Sequence, residues 1–269
     1  MILNPKERTL IEEEKRYFHL PSLNLYPFPK IDERYLYELK IQIAKSFFQS
    51  VEKRVWNTDR KIACLLSGGL DSSVVCAVVN YFLKQKYEKV NDKDKYKLET
   101  YSIGLEGSVD LKYGRKVAEW IESKHTEVKV DKMDFLNELD NLVYIIESYD
   151  TTTVRASIGN YLISKYISKN SDAKVIFNGD GADELMGGYL YFHKAPNYIE
   201  FDEECKRLLS DIHYYDVLRS DRSISNNGLE ARTPFLDKNF VTSYLRIPPE
   251  FRMIRNIEKE FFREAINLY

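Results

Sequence analysis

The stretch KIACLLSGGLDSSVVCAVVNYFL, residues 61–83, joins a short apolar run to a longer one through a glycine turn. Residues 61–66 are typical of a buried strand, and residues 74–83 are typical of an apolar helix that follows it. The turn SGGLDSS, residues 67–73, leaves several backbone N–H groups at the start of that helix. Because these groups lie at the positive end of the helix dipole, the stretch predicts a binding site for a polyphosphate.

The side chains of this turn fit the same prediction. Gly68 and Gly69 allow a ligand to approach the backbone closely, and Ser67 and Ser72 add hydroxyl donors. The carboxylate of Asp71 would repel phosphate unless a cation lay between them, so we predict that Asp71 is a magnesium ligand. The lysine of the P-loop motif is absent, and so is the Gly-x-Gly-x-x-Gly pattern. The alternative is a glycine turn whose aspartate caps the helix.

The rest of the chain alternates between strand and helix patterns. Apolar residues at three- and four-residue spacing predict a helix that begins at Asp32; they are Leu36, Leu39, Ile43 and Phe47. Further strands are predicted at residues 98–105, 126–130 and 174–178, and helices around Val117 and Ile121 and at residues 132–148 and 157–168. Beyond Gly188 the pattern is mainly helical. This order predicts an α/β fold with a parallel sheet, helices on both faces and a helical C-terminal part.

A second polar motif, NGDGADE at residues 178–184, follows a predicted strand. Its carboxylates therefore emerge at the carboxyl edge of the sheet, where open α/β sheets bind ligands. Three carboxylates within five residues, Asp180, Asp183 and Glu184, repel one another unless a cation or a positive partner neutralises them. We predict cation ligands here, opposite Asp71. An EF-hand calcium loop is disfavoured because Asp183 stands where that motif needs glycine; a solvated acidic turn is the remaining alternative.

Composition excludes several classes of protein. With 269 residues and 43% hydrophobic residues, the chain can bury a large core. Its 40 basic and 42 acidic residues give a formal net charge of -2, so we predict neither a nucleic-acid partner nor a membrane surface. Residues 1–8 lack the apolar core of a signal peptide, and no run approaches about 18 apolar residues, so a cytoplasmic location is predicted. Cys64, Cys76 and Cys205 lack metal-ligand spacing and are predicted to be buried thiols.

The motifs resemble those of known nucleotide enzymes. Ser-Gly-Gly-x-Asp-Ser is similar to the PP-loop of ATP pyrophosphatases, which cleave ATP between the α and β phosphates and adenylate a substrate. From about residue 30 to residue 268 the chain resembles the C-terminal synthetase domain of glutamine-dependent asparagine synthetases, which implies an adenine nucleotide α-hydrolase-like fold. The resemblance lies in an ordered series of blocks: LLSGGLDSS (65–73), SIGLEGSVDLK (102–112), ESYD (147–150), VRAS (154–157), GGYLYFHKAP (187–196) and GLEARTPFLDK (228–238).

The resemblance implies roles for the residues at matching positions. The implied cofactors are ATP and Mg²⁺. Adenosine contacts are implied at Leu65, Ile103, Asn178 and Gly179, and pyrophosphate contacts at Ser67, Gly68, Gly69 and Ser72. Magnesium ligands are implied at Asp71 and Asp183, an aspartate contact at Tyr189, and basic groups near the phosphates and the acidic substrate at Arg207 and Arg219. Asp180 replaces a family glutamate to which proton transfer or ATP positioning is attributed, and its shorter side chain loosens that geometry.

The implied reaction begins when the β-carboxylate of aspartate attacks the α-phosphorus of Mg-ATP, which gives β-aspartyl-AMP and pyrophosphate. Ammonia then attacks the adenylate and releases asparagine and AMP. The family's glutaminase domain opens with a cysteine after the initiator methionine, where this chain has Ile2. We therefore expect the chain to use ammonia, either free or from a glutaminase partner chain, and a homodimer is also compatible.

The resemblance also implies a division of the chain. Residues 1–31 are predicted to be an extended lead-in, a remnant of a preceding domain, and residues 32–269 to be the synthetase-like domain. The family continues past this point into a segment with a phosphate-binding lysine, so we expect the domain to be incomplete at its C-terminus. Helical spacing places Arg263 on the same side as Lys259, and we predict an exposed helix residue there, not a phosphate contact.

Other functions stay open at this point. One alternative is a different carboxylate-adenylating enzyme, similar to β-lactam or lasso-peptide cyclases, although the block at residues 187–196 favours asparagine synthetase. Another is a truncated module that binds nucleotide with little activity of its own. A tRNA enzyme that transfers sulfur is disfavoured, because neither catalytic cysteines nor a basic RNA surface is apparent.

Overall fold

The computed structural model describes residues 2–4, 9–11, 18–21, 32–88, 97–255 and 257–269. The strands are β1 (Ile2–Asn4), β2 (Thr9–Ile11), β3 (Lys61–Leu65), β4 (Glu99–Gly104), β5 (Lys124–Lys129), β6 (Ala173–Phe177) and β7 (Glu230–Arg232). The α-helices are α1 (Glu33–Trp56), α2 (Leu70–Glu88), α3 (Val109–Trp120), α4 (Lys132–Asn137), α5 (Leu139–Ile146), α6 (Thr151–Asn170), α7 (Ala182–Met186), α8 (Tyr198–Asp211), α9 (Asp216–Ser225), α10 (Lys238–Leu245), α11 (Pro249–Arg252) and α12 (Glu260–Leu268).

The main sheet has five parallel strands in the order β5-β4-β3-β6-β7. From β3 the chain proceeds outward through β4 and β5 and then returns to add β6 and β7 on the other side of β3. The direction of winding therefore changes between β3 and β6. In open α/β sheets, such a change leaves a crevice at the carboxyl ends of the two strands, which is where both sequence motifs begin.

Helices cover both faces of this sheet, as predicted. Alternation along β3 directs Ile62 and Cys64 into a core shared with α1, α2, α10 and α12. Ala63, between them, belongs to a second core on the opposite face, formed with Ile163 of α6 and Ile224 of α9. The predicted α/β fold with a parallel sheet is confirmed. All three cysteines are free and buried, also as predicted.

The helix predicted from Asp32 is present as α1. The carboxylate of Asp32 accepts a hydrogen bond of 2.8 Å from the backbone N–H of Tyr35 and so caps the helix. The buried face of α1 carries Phe47, whose ring lies 4.7 Å from that of Phe235 and 5.3 Å from that of Phe262 between centroids. This aromatic cluster packs α12 against α1, in the core that also contains β3.

Some predicted elements differ from the structure. The single helix predicted at residues 132–148 is two helices, α4 and α5, that meet at Glu138. The carboxylate of Glu138 lies 2.5 Å from Lys165 of α6, and the break allows α5 to bury Leu142 and Ile146, whereas α4 buries no residue. The three-residue strands β1, β2 and β7 were not predicted.

Two helices need a remark on their ends. Helix α2 ends at Glu88, and residues 89–96 lie outside the described residues. Helix α12 buries Phe261, Phe262 and Ala265, whereas Ile257 precedes the helix and is 48% exposed. Among the residues described, no helix combines the length and the apolar character that a membrane crossing requires.

Candidate functional site

The first component of the site is the turn between β3 and α2. Gly68 has φ +82°, and a Cβ there would lie only 2.4 Å from the backbone carbonyl carbon of Tyr113, so both conformation and space require glycine. The hydroxyls of Ser67 and Ser72 are 3.0 Å apart, and Ser67 Oγ accepts a hydrogen bond from the N–H of Gly69. These donors form a compact loop at the carboxyl edge of the sheet.

The second component, residues 178–184, lies directly against the first. A Cβ at Gly179 would be 3.0 Å from Cβ of Asp71 and 3.2 Å from the backbone nitrogen of Ser72. Gly181 has φ +89° and packs on Leu236, which closes the loop from the other side. The two motifs therefore meet where the winding of the sheet reverses, which is the arrangement that the sequence predicted for the two strand ends.

The ammonium of one lysine, Lys259, contacts both predicted magnesium ligands. Nζ of Lys259 lies 2.5 Å from Oδ2 of Asp71 and 2.6 Å from Oδ1 of Asp183. The side chain of Lys259 is 4% exposed, against 21% for Asp71 and 40% for Asp183. Burial raises the pKa of Asp71, and the Lys259 ammonium opposes that shift. Burial also opposes the charge on Lys259, but the two carboxylates outweigh it and raise the pKa of the ammonium.

The sequence reasoning missed Lys259. We treated it as part of an exposed helical stretch, whereas it stands before α12 with a left-handed backbone, φ 58°. Arg263 lies one turn further on, is about one-third exposed and pairs with Glu258 at 2.5 Å. The sequence did contain a signal: Lys259 comes immediately before a strongly apolar helix. Because that helix is buried in the core, the residue before it is placed at the edge of the core.

The donor set fits a magnesium ion. Both carboxylates reach the same point in space, and Oδ1 of Asp71 is buried without a hydrogen-bond partner. Among the described residues no group of three or more His, Cys, Asp or Glu side chains forms a metal cluster. Magnesium is commonly held by one or two carboxylates, with phosphate oxygens and water completing the shell. Asp71 and Asp183 match that pattern.

Asp180 is turned toward α9. The amide nitrogen of Asn178 donates to Oδ2 of Asp180 at 2.6 Å and to Oγ of Ser220 at 3.1 Å. Burial raises the pKa of Asp180, while the hydrogen bond from Ser220 and the nearby Arg219 guanidinium oppose the shift. Arg219 itself forms an ion pair with Asp216 in the first turn of α9. Asp180 and Arg219 therefore lie close enough for the guanidinium to act on the carboxyl group.

Tyr189 lies beside Glu184, the third carboxyl group of the acidic motif. Its hydroxyl donates to Oε1 of Glu184, which is 4% exposed. Burial raises the pKa of Glu184 to about 7, and Asp216 and Asp183 contribute to the shift while the Tyr189 hydroxyl opposes it. The Tyr189–Glu184 pair therefore adds a group that titrates near neutrality to the predicted substrate wall.

The remaining predicted residues divide into two groups. Leu65 ends β3 and Ile103 lies near the end of β4; both are partly buried against the core on the α6 side, at the carboxyl edge of the sheet. Arg207 is on α8, where it forms two hydrogen bonds of 2.7 and 2.8 Å with Glu204 and is 57% exposed. Its described ion pairs, with Glu204 and Asp211, stay within its own helix and do not reach the two loops.

Comparison with known proteins gives a consistent assignment. The family model described as asparagine synthase matches residues 42–200 and 194–269. Glutamine-hydrolyzing asparagine synthetase of Homo sapiens is 45% identical over 269 residues, which cover 98% of this chain and 47% of that protein. The corresponding protein of Gallus gallus is 47% identical over 228 residues, which cover 84% of this chain and 39% of that protein. The chain spans about half the length of the curated relatives it matches.

Likeness among solved structures is weaker. The U34-tRNA thiolase NcsA from Methanococcus maripaludis overlaps with a TM-score of 0.43 at 15% identity, covering 85% of this chain and 72% of that chain. Overlap at this level carries no argument about function. The family match and the identity to the curated relatives are sufficient by themselves: the chain belongs to the asparagine synthase family.

Proposed function

We propose that this chain carries out the synthetase half-reactions of an asparagine synthetase, the ATP-dependent amidation of aspartate through β-aspartyl-AMP. The observation that carries the proposal is the meeting of Asp71 and Asp183 on one cation beside the Ser67–Ser72 turn. Residues 32–269 form the proposed synthetase domain.

The proposed nucleotide site follows the carboxyl edge of the sheet. Pyrophosphate binds the N–H and hydroxyl donors of Ser67, Gly68, Gly69 and Ser72 at the start of α2. Adenosine lies over the strand ends, against the residues implied by the resemblance: Leu65, Ile103, Asn178 and Gly179. Asp71 and Asp183 would hold Mg²⁺, which would supply positive charge to offset that of the polyphosphate. The two loops thereby fix the α-phosphorus in front of the acceptor side of the site.

The proposed acceptor side is formed by Tyr189, Arg219 and Asp180. The Arg219 guanidinium attracts the carboxylates of aspartate and offsets their repulsion by ATP. The β-carboxylate oxygen attacks the α-phosphorus as the bond to the bridging oxygen of pyrophosphate breaks. Ammonia then adds to the acyl carbon, loses a proton to a nearby base and expels AMP. Asp180 and the Tyr189–Glu184 pair are the acid–base groups available at this position.

The same proposal extends to the nitrogen donor, the partner chains and the cellular location. Ammonia serves this chain directly or is delivered by a glutaminase partner, and homodimerisation is compatible with either source. A cytoplasmic location remains a prediction.

ATP–pyrophosphate exchange, in which labelled pyrophosphate is incorporated into ATP, tests the proposal. The purified chain is incubated with Mg-ATP, labelled pyrophosphate and one carboxylic acid at a time, including aspartate, glutamate and β-amino acids. We expect exchange with aspartate alone, and asparagine with AMP when ammonia is added. Exchange that requires another acid would assign the chain to a different adenylating reaction, and nucleotide binding without exchange would leave only a binding module.

A further inference from the structure

Lys259 occupies the place between the two carboxylates from a remote part of the chain. The three residues come from α2, α7 and the turn before α12, and Lys259 is 188 residues from Asp71 in sequence. Its ammonium is within 2.6 Å of both carboxylates. This separation in sequence means that the contact depends on the tertiary fold and not on a local turn.

The surrounding chain is shaped for this contact. A Cβ at Gly188 would lie 1.9 Å from Oδ1 of Asp183 and 2.4 Å from Cε of Lys259, so the absence of a side chain makes room for both groups. On the other side, the backbone oxygen of Lys259 accepts a hydrogen bond of 3.0 Å from Arg263 in α12. Burial of Phe262 in the main core fixes the start of that helix.

We propose that Lys259 is an internal counter-ion which excludes divalent cations from Asp71 and Asp183 until nucleotide binds. The inference rests on the proposed function, in which the same two carboxylates hold Mg²⁺. Magnesium needs carboxylate oxygens at about 2.0–2.1 Å. An ammonium that already lies 2.5 and 2.6 Å from the same two oxygens fills that space, so Lys259 and the metal are alternative occupants.

Charge explains why the exchange needs nucleotide. One ammonium between two carboxylates leaves a single net negative charge, which attracts a free divalent cation weakly and offers it few ligands. Nucleotide phosphates favour the exchange in two ways. They bring oxygen ligands for the metal, and they offer a new anionic partner to the displaced ammonium. The metal therefore enters with the nucleotide, and the carboxylates are not left to repel each other at any stage.

Manganese binding to the protein alone, without nucleotide or aspartate, tests the proposal. Wild type, Lys259→Gln and Arg263→Gln are titrated with Mn²⁺ at fixed pH and ionic strength, and free Mn²⁺ is followed by electron paramagnetic resonance. We expect Lys259→Gln to bind one Mn²⁺ about tenfold or more tightly than wild type, because two unpaired carboxylates remain. Arg263→Gln is the matched control, since Arg263 influences Asp71 only through its field and pairs with Glu258. Its affinity should stay within about twofold of wild type.

Two results would overturn the proposal: equal Mn²⁺ affinity for Lys259→Gln and wild type, or equal tightening in both variants, which would reduce the effect to general electrostatics. If Lys259→Gln is unfolded without metal, the circular dichroism of this variant and of Lys259→Met is measured during the Mn²⁺ titration. Refolding at Mn²⁺ concentrations that leave wild type unoccupied supports the proposal, and failure of both variants to refold contradicts it. Aspartate-dependent exchange by wild type is independent of this outcome, so the two proposals can fail separately.

Discussion

Replacing Gly188 with alanine inserts a methyl group where Asp183 and Lys259 already meet. The new Cβ would lie 1.9 Å from Oδ1 of Asp183, 2.4 Å from Cε of Lys259 and 2.9 Å from Cγ of Asp183. Distances this short cannot be relieved by one small rotation, because the ends of both side chains are also held by their mutual ion pair. The ion pair must therefore open or the α7–α8 connection must shift.

The expected cost follows from overpacking in a compact site. Inserting a methyl group into well-packed surroundings destabilises proteins by about 1–3 kcal/mol. For a domain of this size each kcal/mol lowers the Tm by about 2–4 °C. We also expect weaker binding of Mg-ATP, because Asp183 is displaced from the point it shares with Asp71.

Thermal unfolding by circular dichroism and Mg-ATP titration by calorimetry measure the two effects. The matched control is Gly159→Ala in α6, where the added Cβ would meet only Cγ2 of Ile103 at an ordinary 3.9 Å. That change removes a helix-interior glycine and should stabilise the protein by about 0.5–1 kcal/mol. If Gly188→Ala retains both the wild-type Tm and the wild-type affinity for Mg-ATP, Asp183 and Lys259 do not crowd Gly188 as these distances require.

Three further changes have defined outcomes. Asp71→Asn should retain the fold by circular dichroism but abolish Mg²⁺-dependent ATP binding in calorimetry and lower any turnover about a hundredfold; unchanged affinity would remove the metal assignment. The pKa of Glu184 is raised from 4.5 to about 7, so the folded state holds its proton more tightly than the unfolded state. The free energy of unfolding should therefore fall as pH rises from about 4.5 to 7, and Glu184→Gln should flatten that slope in urea titrations. Arg252→Ala should destabilise the protein by about 3 kcal/mol in urea titrations, because buried Asp202 loses the guanidinium and, of its ion pairs among the described residues, keeps the one with Lys206; a loss below about 1 kcal/mol would show that Lys206 suffices.

The fold near the site could be predicted because its determinants are local. Residues 61–83 specify strand, turn and helix without interruption, and two parallel strands ending at the same edge bring residues 178–184 to the turn. Lys259 could not be placed in this way. Its contact depends on how α12 packs on α1, and helical spacing alone describes the helix without showing which residue precedes it. Strand β7 was missed for a different reason, since three residues are too short to show alternation.

The three carboxyl groups of the acidic motif each have an internal partner that the folded chain supplies. Three carboxylates within five residues predicted a cation, yet the chain relieves their repulsion with its own groups. Asp183 faces the Lys259 ammonium, Asp180 accepts from Asn178, and Glu184 keeps its proton to higher pH through burial next to Tyr189. The motif therefore has internal partners for all three of its carboxyl groups. Metal and nucleotide must stabilise these carboxylates more than their internal partners do. The stronger the contact with Lys259, the more weakly the free protein should bind divalent cations.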